Sequence, residues 1–234
     1  MSPRHTGLED IPTQIKNPDL VEQRRRQIAD AAVQLFVRQG FHKTTTRQIA
    51  KAAGVSIGSL YEYFACKEDV LYLVCHAIHS EVERGVSAAL ARASGGSEAL
   101  AAVIREYFRV CHRMSDFILL IYQETRSLPT QWQKRVLENE LRIAGLFVQV
   151  LAKLSGSGDI PKLNERFMEL AAHDISVLGH MWTFRRWYLS RHFTLDEYIE
   201  LQTEFILGRI EANPAAGREA SGNKETTAPH KERP

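Results

Sequence analysis

Few side chains in this sequence are placed to do chemistry. His76 and His79 stand three apart on a helical pattern with Glu83 as the nearest third donor. Two imidazoles at that spacing can share a metal ion, but the set stops short of a closed or catalytic site. His173 and Asp174 are adjacent. Neighbours on a helix point in different directions, so they make no dyad. Arg126, in the stretch 123–128, and Arg185-Arg186, just after His180-Met181-Trp182, place guanidinium forks beside aromatic rings. Such forks match phosphate and carboxylate geometry. The chain has no glycine-rich phosphate loop, no Gly-x-Ser-x-Gly elbow and no His-Glu-x-x-His pair, the patterns that would mark an enzyme. The expectation is a binding protein without catalytic or metal-ligating residues.

The densest pattern lies at 44–64, TTTRQIAKAAGVSIGSLYEYF. Its threonines can cap a short helix that buries Ile49, Ala50 and Ala53. Gly54 suits a tight turn, and Ser56 can cap a second helix that buries Leu60 and Phe64 at the i, i+4 spacing. Ser59, Tyr61 and Tyr63 are left on the outer face. Two helices of about two turns joined by about four residues with a glycine predict a helix-turn-helix, whose second helix fits the major groove of duplex DNA. The net charge is only +2, so a nucleic-acid role must rest on local charge. Residues 19–67 hold eight Lys and Arg against four Asp and Glu. That excess of four positive charges suits contact with a few phosphates.

Around this stretch the pattern is helical throughout. A first helix over 20–39, with Ile28, Ala32, Leu35 and Phe36 buried and Gly40 at its end, would hold the short pair in place. Its Arg24-Arg25-Arg26 run reads equally as a solvated face or as a contact to the DNA backbone. Helices follow over about 67–93, 97–113, 130–154, 163–190 and from Thr194, where Thr194 and Glu197 fit a capping box. Between them, 117–122 is nearly all apolar and should be enclosed by other helices. On 130–154 the inward positions expected are Val136, Leu137, Leu141, Ala144, Phe147, Val148 and Leu151. The last two helices carry more apolar surface than one chain needs, with Leu170 among the core positions and Phe184, Trp187, Tyr188 and Phe205 spreading outward. Apolar area on that scale implies a second copy of the chain. Residues 1–18, with three prolines, read as a disordered arm, and 212–234 as a disordered tail. Cys66, Cys75 and Cys111 form no Cys-x-x-Cys pair and read as structural thiols of a reducing cytoplasm. No apolar run is long enough to span a bilayer.

The segment 25–73 closely resembles the DNA-binding domain of the TetR family of bacterial transcriptional repressors. The matching features are Ile-Ala-Asp-Ala-Ala-Val-x-Leu-Phe, the Gly40-Phe41 break, Thr-Thr-Thr before Ile49-Ala50, Ala-Gly-Val-Ser, Gly-Ser-Leu-Tyr-x-Tyr-Phe and Lys67-Glu68. The resemblance implies an all-α protein. Residues 19–66 would be a three-helix, helix-turn-helix DNA-binding domain, and 67–211 a helical effector-binding and dimerisation domain. It implies a homodimer joined by the last two helices and released from a palindromic operator by a small molecule. Position by position, Arg47 would reach a guanine edge. Ile57 and Gly58 would meet base edges, with Ser56 capping behind them. Thr46, Ser59, Tyr61, Tyr63 and Lys67 would hold phosphates. Bundle interiors commonly hold small molecules. The wall residues expected here are Tyr107, Cys111, Phe117, Tyr122, Phe147, His180 and Trp182. Arg126, Arg185 and Arg186 would grip an acidic end or else pair with carboxylates. The C-terminal half resembles members that respond to acyl-coenzyme A thioesters. A ligand-independent DNA-binding or architectural protein is the second reading.

Overall fold

The computed structural model describes residues 11, 13, 15–92 and 96–212. Among these are nine α-helices, a short 3-10 turn at Thr125–Ser127 and no strand. Helix α1, Pro18–Gln39, starts where the Asn17 side chain accepts the Leu20 N–H, with Pro18 in the first turn. Both choices satisfy or remove backbone donors that a helix start leaves orphaned. It ends at Gly40, whose φ of +83° a side chain would resist. Helix α2, Thr46–Ala52, is opened by a reciprocal capping box between Thr45 and Gln48. Gly54 turns the chain at φ +67°. The Ser56 side chain caps α3, Ile57–Tyr63. The Gln27 side chain of α1 donates to the Ala53 carbonyl at 2.6 Å, tying the turn to the supporting helix.

Six helices follow: α4, Lys67–Arg92; α5, Gly96–Arg113; α6, Ser115–Glu124; α7, Thr130–Ser157; α8, Glu165–Leu189; and α9, Leu195–Glu211. The Thr194–Glu197 capping box expected for α9 is present. Two buried clusters divide the molecule. One fills the N-terminal head with Ile28, Phe36, Ile49, Leu60 and Phe64, and continues into Leu120, Ile121, Leu128, Trp132 and Val136 of the body. The other joins the far part of α4 to α5, α7, α8 and α9. Head and body therefore share a core.

Arg25 stands at the centre of the head. It is 1% exposed, not part of a solvated basic face. Its guanidinium donates to the Tyr63 carbonyl at the end of α3 and to the Ile11 carbonyl at 2.7 Å. It also lies over the Phe64 ring. Ile11 is buried, and the Thr13 hydroxyl donates to the Glu62 carbonyl. The described part of 11–18 is thus docked on the head rather than forming a free arm. The rest of the N-terminal arm and the tail from 213 lie outside the described residues.

Several positions turn out differently from their periodicity. Leu137 and Leu141 of α7 are exposed and Val148 is half-buried, whereas Val136, Ala144, Phe147 and Leu151 are buried as expected, joined by Trp132, Asn139, Ile143, Val150 and Leu154. The inward stripe is set by packing on both α4 and α8. Leu170 is likewise on the surface, and α6 is open on one side, with Tyr122 exposed and Phe117 only half-buried. No helix among the described residues is long and apolar enough to cross a membrane.

Replacing Arg25 with alanine leaves the Tyr63 and Ile11 carbonyls without their charged donor. Removing one partner from a buried charged network typically costs about 3–5 kcal/mol. The expected outcome is a clear drop in the urea midpoint of unfolding, read by circular dichroism. An unchanged midpoint would contradict the role given to this side chain.

Candidate nucleic-acid interface and the buried polar cluster

The outer face of α2 and α3 gathers most of the expected DNA-facing residues. Arg47, Ser56, Ile57, Gly58 and Tyr61 are exposed, and Thr46 and Ser59 are half-buried. The Tyr61 hydroxyl lies 3.2 Å from the Thr46 hydroxyl, which fixes the phenol across the two helices. Ile57 is an exposed apolar side chain at the first position of α3.

Gly58 is informative in a different way. It lies inside the first turn of α3 with an ordinary helical backbone. A Cβ built there would meet only the Ser56 hydroxyl, at 3.8 Å. Glycine inside a helix costs about 1 kcal/mol relative to alanine, and among the described residues no neighbour crowds a Cβ here. Open space on the outer face of a helix is what a close external approach needs.

Two expected phosphate contacts are corrected. Tyr63 is buried in the head core, because the period of α3 brings it inward beside Leu60 and Phe64. Lys67 donates its ammonium to the Phe41 and Thr44 carbonyls at 2.9 and 3.0 Å. It also sits 4.1 Å from the centre of the Phe41 ring. Its charge is spent on fastening the α1–α2 loop, where the Phe41 carbonyl also accepts the Thr44 N–H.

The corner between α3 and α4 is held by Asp69, which sequence reasoning did not single out. One carboxylate oxygen accepts the backbone N–H groups of Ala65 and Cys66 at 3.0 and 3.1 Å. The other accepts the indole N–H of Trp132, on α7, at 3.0 Å. The signal available was the pattern Cys-Lys-Glu-Asp before an apolar run, an acidic helix start.

The expected effector residues separate into groups. Tyr107, Cys111, Phe147, His180 and Trp182 are all buried in the body core. Phe117 packs with the head cluster instead. Arg126, Arg185 and Arg186 lie exposed, with the Arg185 guanidinium over the Trp187 ring, so none of them joins the buried group. At the centre is a polar chain through five helices. His79 Nε2 lies 3.1 Å from a Glu140 oxygen, and the other oxygen is 3.9 Å from His180 Nδ1. The Tyr107 hydroxyl donates to the Ser176 carbonyl, and His180 Nε2 is 3.2 Å from the same hydroxyl. The Tyr122 hydroxyl is 3.2 Å from His180 Nδ1. One assignment satisfies every distance: a neutral His180 donates from Nε2 to Tyr107 and accepts at Nδ1 from Tyr122.

Electrostatics agree with that assignment. Burial holds His180 below the usual histidine range, against the pull of Glu140 and with the help of His79. Burial alone would raise Glu140. The hydrogen bond from His79 and the fields of His180, His79 and His173 outweigh it and keep the carboxylate ionised below its usual range. Burial pushes the Tyr122 phenol up to about 12 and Tyr107 further still. Gly179 is required here, since a Cβ would lie 2.4 Å from the Tyr107 ring. The thiols are free and unactivated. Burial raises Cys66 to about 11 and Cys75 to about 12, and Cys111 is also raised. Among the described residues no group of His, Cys, Asp and Glu could hold a metal ion.

Comparison with known proteins agrees with this geometry. The family model described as bacterial regulatory proteins, tetR family, matches residues 28–72, the span from α1 into α4. The HTH-type transcriptional regulator HbdR of Aromatoleum sp. (strain CIB) is 30% identical over 195 residues, covering 83% of this chain and 84% of the relative. The chain belongs to the TetR family of bacterial regulators. It is a TetR-family transcriptional regulator with a DNA-binding helix-turn-helix. The fatty acid metabolism regulator protein of Bacillus subtilis (strain 168) is 26% identical over 134 residues, 57% of this chain and 69% of that one. The crystal structure of AibR in complex with isovaleryl coenzyme A and operator DNA shares the fold. Its TM-score is 0.62 at 17% identity, over 79% of this chain and 98% of that one.

The polar cluster makes this regulator sensitive to acid. In the unfolded chain His180 takes up a proton near its ordinary pKa of about 6.5, whereas the folded chain resists it. The unfolded state then binds more protons, so stability falls as pH drops below about 6.5. Glu140 extends the same trend below about 4.3, where an unfolded glutamate gains a proton that the folded one refuses. The urea midpoint is expected to fall between pH 7.5 and 5.5, and to fall less in His180→Gln. An equal fall in both proteins would place the titration elsewhere.

Proposed function

We propose that this TetR-family protein is a cytoplasmic repressor that binds a palindromic operator as a homodimer. A small hydrophobic or acyl-coenzyme A-like effector would release it. The observation that carries the DNA-binding surface is the shared outer face of α2 and α3, where Arg47, Ile57, Gly58 and Tyr61 are exposed together and the backbone at Gly58 is open to a close approach. Around it, Arg47 supplies a fork for a guanine edge, and Ile57 an apolar tip for a thymine methyl. Thr46, Ser59 and Tyr61 supply hydroxyls for phosphates, with Ser56 capping the helix that presents them.

The homodimer is supported by a face of α8 and α9 that this chain leaves uncovered. Leu170, Val177, Tyr188, Leu201 and Phe205 are all exposed, Phe205 at 65%. Two such faces related by a twofold axis would form a four-helix interface and set two α3 helices one turn of DNA apart.

Support for the effector comes from the body core and from relatives. Tyr107, Cys111, Phe147, His180 and Trp182 lie among α5, α7 and α8, where a bundle accommodates a small molecule. The Bacillus subtilis relative is named for fatty acid metabolism, and AibR was solved with isovaleryl coenzyme A. Exposed Arg126, Arg185 and Arg186 are the cationic groups available to the acidic end of such a thioester. A ligand-independent DNA-binding protein would lack this response. Thermal shift with short- and medium-chain acyl-coenzyme A separates the two readings.

The DNA surface is tested by a pair of substitutions against an operator obtained by in vitro selection. Gly58→Ala should stabilise the protein by about 0.5–1 kcal/mol while weakening operator binding. Arg47→Ala should cost about 1–3 kcal/mol of binding and relax preference at one base position. Fluorescence anisotropy and urea unfolding read both effects. Unchanged operator affinity in Gly58→Ala would remove α3 from the interface.

A further inference from the structure

Helices α4 and α7 both begin beside the head and run away from it side by side. Three tie points join them in step. Near the head, Asp69 accepts the Trp132 indole N–H, and the Trp132 ring stacks on Tyr72 at 4.2 Å between centres. Further on, His79 meets Glu140 at 3.1 Å. Beyond that, Arg142 lies 3.5 Å from Glu83. Both series advance in the same direction, so the helices are parallel, with the ties spread over about 15–20 Å at 1.5 Å per residue.

The tie nearest the head differs from the others in what it holds. Asp69 and Trp132 are both buried. The oxygen of Asp69 not used by Trp132 accepts Ala65 and Cys66 N–H, the two residues between α3 and α4. The carboxylate also lies in the field of Arg25, which grips the Tyr63 carbonyl at the end of α3. Polar contacts therefore run from Trp132 in the first turn of α7 through Asp69 to the two residues that follow the DNA-reading helix. Eight residues further along α7 is Glu140, the centre of the buried cluster. For α4 to swing alone, it would have to strip a buried carboxylate of its indole donor and part a stacked ring pair.

We propose that Trp132 is a positioning residue that makes α7 a second lever beside α4, so that the Glu140 region and the α3–α4 corner are energetically linked. Such linkage is reciprocal: what the body does to the head on binding a ligand, the head does to the body on binding DNA. The body's response to DNA therefore reports the link without any effector.

The test is amide hydrogen exchange on the full chain, with and without the selected operator fragment, in wild type and in Trp132→Phe. Phenylalanine keeps a ring against Tyr72 and deletes the N–H. In wild type, DNA should slow exchange at 136–143 of α7 by about threefold or more. In Trp132→Phe that slowing should vanish, while the slowing across α2 and α3 persists and anisotropy finds DNA affinity within about threefold of wild type. A merely structural tryptophan would leave the DNA-dependent difference intact. Slowing at 136–143 that survives in Trp132→Phe, or that is missing in wild type, would overturn the proposal.

Discussion

A carboxylate buried at a helix corner needs several donors at once, and Asp69 has three of them. It takes two backbone N–H groups where α3 gives way to α4, and the indole N–H of Trp132 from α7. Arg25 stands close enough to feel its charge and spends its own donors on the end of α3 and on Ile11. Low dielectric makes such contacts strong when complete and costly when partial. The placement of the reading helix follows from this constraint. The head's apolar core continues into α6 and α7, so the head packs against the body through apolar as well as polar contacts.

Much of the head was legible in the sequence because its signals are local. The threonine run, Gly54 and Ser56 act through backbone groups within four residues, and the caps and the turn form there, with Gln48 completing the Thr45 cap in a way not read from the sequence. The Thr194–Glu197 box was readable for the same reason. Residues whose roles depend on distant partners were not. Arg25 reads as one of three surface arginines until the Ile11 segment and the end of α3 are laid over it. Lys67 reads as a phosphate contact until the Phe41 and Thr44 carbonyls are found turned toward it. Leu137 and Leu141 fit a helical period as well as the true inward stripe does. Which stripe faces in is decided by α4 and α8, partners on either side of it in sequence.

The body shows how a helical core can carry a charge. Glu140 remains ionised because His79 donates to it, and burial keeps His180 neutral, with Tyr107 and Tyr122 as partners for its two nitrogens. The sequence marked Tyr107, Tyr122 and His180 as candidates from their types alone, and they meet. It missed Glu140, since a glutamate in an amphipathic helix ordinarily faces water, and it paired His79 with His76 and Glu83 rather than with the carboxylate it meets. The arginines chosen with them lie outside the cluster, where long cationic side chains keep their hydration.

If the head's position is set by the body through a shared core, neither should melt alone. Differential scanning calorimetry of the full chain measures this directly. A single transition whose calorimetric enthalpy equals its van't Hoff enthalpy per cooperative unit is the predicted result. An early, separate transition carrying the enthalpy of about fifty residues, near 35 kcal/mol, would show the head unfolding by itself. That result would contradict the account.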